Sequence, residues 1–251
     1  MRKIQDYTAS LWNHISRGVI WLKFFLANPY KNKIRILVDG IIYSKSQLWQ
    51  DLFVASMTGF KREGYFVEFG ATDGILLSNT HMLEKRLNWH GILSEPGVSW
   101  QKELSKNRSC IIDNDLIWSS TGEEVVFLET DQKEFSTVSK LAEKDLHALK
   151  RVKGNQYKVN SVTLYDFLKR NLAPNYIDFI SVDTEGSEFE ILSAFDFSQY
   201  TFGAICVEHN YLENRPKVKQ LLLANGYRQV YPELSDFDDW FVLARNQNIP
   251  A

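Results

Sequence analysis

Cysteine is scarce in this chain, with two among 251 residues. That excludes a disulfide-stapled scaffold and a cysteine-rich zinc site. Cys110 and Cys206 both sit inside apolar runs and read as buried free thiols, which points to a reducing compartment and a cytoplasmic protein. Excess charge is missing too. The formal net charge is −2 and no basic stripe alternates with aromatics, so nucleic acid is not an expected partner. No apolar run is long enough to span a bilayer. The most apolar early stretch, Val19–Ala27, is broken by Lys23 and reads as a docked helix or as a peripheral contact with a membrane surface. No signal peptide is expected, and no repeat or low-complexity segment appears.

What is present fits a packed globule: 44% of residues are hydrophobic and 14% aromatic. The chain is organised around Tyr65–Asn79, YFVEFGATDGILLSN. Tyr65–Phe69 has the apolar character of a buried strand. Gly70 and Gly74 follow, with Ala71 and Asp73 between them, and suit a sharp turn in which backbone approaches a ligand. The spacing is neither that of a phosphate loop nor that of a dinucleotide fold. Acids at Glu68 and Asp73 would repel a pyrophosphate but suit a ligand with amino and hydroxyl groups, such as S-adenosylmethionine. An ordinary strand–turn–helix joint is the alternative. Ser78, Asn79 and Thr80 can cap a helix reaching Leu87.

Residues 1–30 carry helical spacing up to Pro29, and Lys33–Ile42 reads as a strand pair turning at Asp39-Gly40. A helix is expected from Ser46, stopped by Gly59. Residues 1–60 are thus a helical extension or cap, and 61–251 the main domain. A second strand ends in Glu95, 21 residues after Gly74, where a doubly wound fold hydrogen-bonds ribose hydroxyls; capping the next helix is the alternative. Arg108–Asp113 reads as a third strand, with Asn114, Asp115 and Leu116 placed to hold an adenine. An extra strand covers 123–129, and the polar, lysine-rich 131–157 is expected to be part of a substrate lid. Thr163 caps a helix through Asn171. Strands at Tyr176–Asp183 and Phe202–Glu208 end in acids, and Pro216 opens a helix closed by Gly226. Tyr227–Tyr231 and Trp240–Ala244 are the last strands. Strand after strand delivers polar groups at its carboxyl end, the ligand edge of an open α/β sheet.

EFGATDG with SEP, VTLYDFL, IDFISVDTEGSEFEIL, VEHN and DDW resembles the FkbM-type family of S-adenosylmethionine-dependent methyltransferases, over about Ser46 to Val242. The resemblance implies an α/β, Rossmann-like class I methyltransferase fold: a mostly parallel seven-stranded sheet with helices on both faces. It also implies O-methylation of a sugar hydroxyl on a glycan, polysaccharide or glycosylated metabolite. By the same resemblance Glu68, Gly70, Asp73 and Gly74 match the first cofactor motif, Glu95 the ribose acid, and Asn114 to Leu116 the adenine position. Asp183, Glu185 and Gly186 match the fourth-strand motif, and Glu208 with His209 the fifth.

An alcohol must lose a proton to attack a methyl group, so a base or a Lewis acid is required. Either His209 or a carboxylate among Asp183, Glu185 and Glu208 serves as the base, or Asp183 and Glu208, with Asn210 or His209, hold Mg²⁺ or a similar hard cation. Glu188 reads as a helix N-terminal acid. Asp239 and Trp240 either line the acceptor site or bury the tryptophan in a final strand. The rival class is a non-catalytic Rossmann-like binding module, possible at a membrane through Val19–Ala27.

Overall fold

The apolar run at Tyr65–Phe69 forms β1, and each neighbour it pairs with is parallel. The computed structural model describes residues 38, 42–142, 151, 153–233 and 236–244. The expected helix over 1–30, its segment 19–27 and nearly all of the strand pair at 33–42 lie outside the described residues. In chain order the elements are α1 (Gln50–Met57), β1, α2 (His81–Leu87), β2 (His90–Ser94), α3 (Val98–Asn107), β3 (Ile111–Asp113), β4 (Leu116–Trp118) and β5 (Glu124–Thr130). There follow β6 (Thr137–Val138), β7 (Gly154–Thr163), α4 (Leu164–Arg170), β8 (Tyr176–Val182), α5 (Glu188–Ser193), β9 (Thr201–Glu208), α6 (Arg215–Ala224), β10 (Tyr227–Val230) and β11 (Asp238–Leu243).

Seven strands form the main sheet in the order β10-β11-β9-β8-β1-β2-β3. Only β11 runs against its neighbours, so the fold is the expected mostly parallel α/β class. Side chains alternate across it: Ala204, Cys206 and Trp240 join one core cluster, Ile205, Val207 and Phe241 the other. Helices α1, α2 and α3 cover the first face, and α4, α5 and α6 the second. α1 is buried on every side, with Phe53, Val54 and Ala55 at 0% exposure. No described helix is long and apolar enough to cross a membrane.

Three element starts shift from the sequence pattern by two residues or more. α1 starts at Gln50, not Ser46, because Trp49 is left-handed (φ 66°) and the Ser46 hydroxyl instead bridges the Asp51 N–H and the Ser78 carbonyl. β3 starts at Ile111, not Arg108, since the Arg108 N–H closes α3 on the Leu104 carbonyl. β11 starts at Asp238, which pairs with Glu208. The pattern also did not reveal a second sheet, ordered β4-β7-β5-β6, of which the strand expected at 123–129 is one member. Its core is Leu116, Trp118, Phe127, Val138 and Leu141. It reaches the first sheet through α3: Glu129 accepts from the Ser99 N–H and the Tyr157 hydroxyl from the Val98 N–H, each at 3.0 Å. Those two orphan donors of the helix N-terminus are thereby satisfied.

Candidate active site

The carboxyl tips of β1, β2, β8 and β9 open into one cavity of about 290 Å³. This is where a parallel sheet gathers its ligand-facing groups. One end is lined by Ser94, Glu95, Pro96, Trp100, Leu116 and Phe127. Gly70, Thr72, Asn79 and Ser181 form the floor, and Asp183, Glu185, Glu208, Asn210, Gln47 and Phe237 the other end. Residues Lys133–Ser136 and Val138, within the segment read as a lid, form the roof. Four non-glycine residues on this lining are left-handed: Thr72 (φ 48°), Leu77 (φ 59°), Glu185 (φ 56°) and Asn210 (φ 39°). Strained backbone of this kind persists where the surroundings over-determine it, and it clusters at functional sites.

Glu68 touches the cavity, but its oxygens are taken by the protein. They accept from the Ser78 hydroxyl (3.0 Å), the Asn79 N–H (2.5 Å) and the Thr80 hydroxyl (2.5 Å). Arg108, fully buried, completes the knot. It donates to Glu84 (2.7 Å), the Gly74 carbonyl (3.2 Å), Ser78 (3.1 Å) and Thr80 (2.8 Å), and lies 3.5 Å from Glu68. The turn glycines answer to the protein as well. A Cβ on Gly70 (φ 69°) would meet the Asp183 carbonyl oxygen at 2.3 Å, and one on Gly74 (φ 82°) the Arg108 side chain at 2.5 Å. Asp73 is spent on the turn itself, accepting the Ile75 and Leu76 N–H groups at 2.8 and 2.7 Å.

Glu95 is buried. Its two oxygens accept the Thr72 and Gly97 N–H groups at 2.7 Å each, which leaves lone pairs for further donors. Burial pushes its carboxyl up to about 7, with Glu129 adding to the rise and the two N–H groups opposing it. Asn79 donates to Ser181 at 2.9 Å while its Oδ1, buried against the cavity, has no partner among the described residues. Of the expected adenine positions only Leu116 lines the cavity. Asn114 is exposed, and Asp115 is drawn to Arg170 at 2.8 Å.

At the other end Asp183 and Glu208 come from the tips of neighbouring strands, their carboxylate oxygens within 4.8 Å of each other. Burial first, then the charge of Glu185, pushes Asp183 well above the carboxylate range; burial, then Asp183, does the same to Glu208. Two carboxyls this close resist ionising together. Donor oxygens of Asp183, Glu185 and Glu208 all lie within 4.8 Å of one another. Asn210, expected in that set, instead points its amide at Glu185, 3.5 Å away. Glu188 closes the turn below them, accepting from Thr184 and Gly186 at 3.0 Å.

Several expected site residues are not brought to this cavity. His209 turns away: its Nδ1 accepts the Tyr211 N–H at 3.0 Å, its Nε2 lies 3.8 Å from Asp239, and burial lowers its basicity. Asp239 is saturated by Arg215 (2.8 and 2.9 Å) and Gln229 (2.7 Å). Trp240 is core, stacked on Phe53 at 4.8 Å. Ala71, Gly74 and Ser78 are buried and do not line the cavity. Conversely, Trp100, Phe127 and Gln47 line the cavity, and Arg108 and Arg151 hold its walls, without having been singled out. A buried arginine beside an apolar run is the one signal the sequence offered for Arg108.

The family model described as the methyltransferase FkbM domain matches residues 68–243. The chain belongs to that family. It is an S-adenosylmethionine-dependent methyltransferase, and its seven-stranded sheet is the class I fold. No curated protein matches the sequence significantly. Among solved structures, the chain is similar to the precorrin-6y C5,15-methyltransferase of Geobacter metallireducens GS-15, at 11% identity over 76% of this chain and 85% of that one, TM-score 0.41. It is similar to the CurJ carbon methyltransferase at 11% identity over 97% and 70% of the two chains, TM-score 0.42. M. capricolum TrmK, solved with S-adenosyl-homocysteine, matches at 9% identity over 76% and 66%, TM-score 0.37.

Proposed function

We propose that this methyltransferase acts on oxygen, methylating a hydroxyl of a sugar on a glycan, polysaccharide or glycosylated metabolite, in the cytoplasm. The observation that carries this reading is the Asp183–Glu208 pair on the cavity wall. When bound, S-adenosylmethionine supplies an electrophilic methyl group on a sulfonium, open to in-line attack. An alcohol oxygen attacks it well only as its proton leaves, and a carboxyl raised above its usual range is a stronger base than an ordinary one. Asp183 and Glu208 together accept that proton, with Glu185 and Asn210 beside them to hold neighbouring hydroxyls. A wall of carboxyl and amide groups suits a neutral, hydroxyl-rich acceptor rather than an anionic one.

The residues at the opposite end fit the donor. Glu95 has lone pairs left for the ribose diol, and Trp100, Leu116 and Phe127 offer apolar surface to the purine. The unpartnered Asn79 Oδ1 suits the ammonium group of the donor's amino-acid end. These residues would hold the nucleoside at the β2 tip, and the acid pair stands across the cavity at the tips of β8 and β9, where it would meet the acceptor.

The test is incubation with methyl-labelled donor and candidate nucleotide sugars or glycans, followed by mass spectrometry. Label on a sugar oxygen is expected; label on carbon or nitrogen overturns the reading. A second reading rests on the closeness of Asp183, Glu185 and Glu208. An all-oxygen set within 4.8 Å is suited to Mg²⁺ or a similar hard cation, which would bind the acceptor diol. Dialysis against a chelator then abolishes turnover and added Mg²⁺ restores it; turnover unchanged by the chelator removes that reading.

A further inference from the structure

Arg151 is 4% exposed, although it belongs to a polar, lysine-rich stretch. Arginine is rarely buried unless its donors are met, and the partners here are informative. Nε donates to the Phe135 carbonyl at 2.7 Å and Nη1 to the Ala142 carbonyl at 3.4 Å, both in the roof segment. Nη2 crosses to the loop after β8 and meets the Glu185 carboxylate at 2.6 Å. A second bond makes the same crossing: the Thr137 hydroxyl donates to the Glu185 carbonyl at 2.9 Å. Phe135 and Glu185 are both cavity walls, one in the roof and one at the acid end. A single guanidinium therefore fixes the distance between them.

A purely local staple would end at the two roof carbonyls. The bond to Glu185 does more, because Glu185 sits in a left-handed conformation that its own chain disfavours (φ 56°). Its side chain and its carbonyl are both held by roof residues. Lifting the roof breaks the ion pair and frees Glu185 to relax.

We propose that Arg151 is a positioning residue that clasps the 131–142 segment over the crevice through Glu185, and that donor and product pass only when this clasp is released. The proposal rests on the donor lying in the cavity described above, and its test reads binding rather than turnover. The probe is S-adenosylhomocysteine, followed by stopped-flow dissociation, together with trypsin cleavage after Lys133 or Lys140. Arg151→Gln is expected to release the probe about tenfold faster and to speed that cleavage, with Arg151→Lys recovering most of the loss. Glu185→Gln should show the same defect, and the double variant should add nothing to it. Release within about twofold of the unmodified protein in a folded Arg151→Gln variant overturns the clasp. If Arg151→Gln does not fold, Thr137→Val carries the test. Faster release supports the clasp and unchanged release overturns it. Failure of the unmodified protein to bind the probe would instead defeat the placement of the donor.

Discussion

Two buried acidic clusters stand side by side at the strand tips, and they are built in opposite ways. At the tip of β1, Glu68 is surrounded by donors, namely two hydroxyls, a backbone N–H and a guanidinium. At the tips of β8 and β9, Asp183 faces Glu208, one Glu208 oxygen has no partner among the described residues, and both carboxyls are held above their ordinary range. The first arrangement satisfies a charge and so fixes a loop. The second leaves a charge poorly met, which costs folding free energy and leaves the group ready to exchange a proton. A buried acid with all its bonds made is holding the fold, and one without them is available for chemistry.

The contrast is broken most directly by single isosteric changes on each side. Asp183→Asn keeps the shape and removes the carboxylate, so methyl transfer should fall by about 10²- to 10⁴-fold while S-adenosylhomocysteine affinity changes little. Rate assays with labelled donor and calorimetry on the same preparation separate the two. Equal losses would make Asp183 a donor-binding group. Arg108→Met should do the reverse. It removes the guanidinium charge from buried Glu68 and half-buried Glu84, and removing one partner of a buried ion pair costs about 3–5 kcal/mol. Denaturant midpoints measure that loss, and a variant as stable as its parent would show that Glu68 is not held by charge.

The sequence made one half of this contrast legible and hid the other. Periodicity and the glycine turn located the main sheet strands, because runs such as Tyr176–Val182 are apolar throughout and stop at polar tips. The acids at 68, 95, 183, 185 and 208 were recognisable for the same reason, and they do converge on one cavity. Which of them is satisfied was not legible. That depends on Arg108, 40 residues from Glu68 along the chain, and on Arg151, 34 from Glu185. Local patterns carry no information about such partners. The second sheet is hidden because its two long strands, β5 and β7, are largely exposed on one side; β7 reads as mostly polar from Gly154 to Asn160. Asp239 and Trp240 looked like a sugar-facing pair only because adjacency in sequence hides that β11 turns them to opposite faces.

Glu95 lies between the two extremes and gives the finest test. Its oxygens are partly satisfied by backbone N–H groups, yet burial raises its carboxyl from 4.5 to about 7. A folded value above the unfolded one means that its contribution to stability is complete below about 4.5 and lost as pH rises through about 7. At one pH unit per 1.36 kcal/mol the full loss is on the order of 3 kcal/mol. Asp238, also raised to about 7 by burial, gives a slope in the same window, so the Glu95 share is the difference between the parent and Glu95→Gln. Donor binding should run the other way. A ribose diol donates to the ionised carboxylate, so affinity for S-adenosylhomocysteine should weaken as pH falls below 7, by up to about tenfold per unit. Opposite slopes for stability and affinity, both flattened in Glu95→Gln, place one carboxylate at the ribose. An affinity that stays level from pH 8 to pH 5.5 would make Glu95 only the cap that joins Thr72 to Gly97.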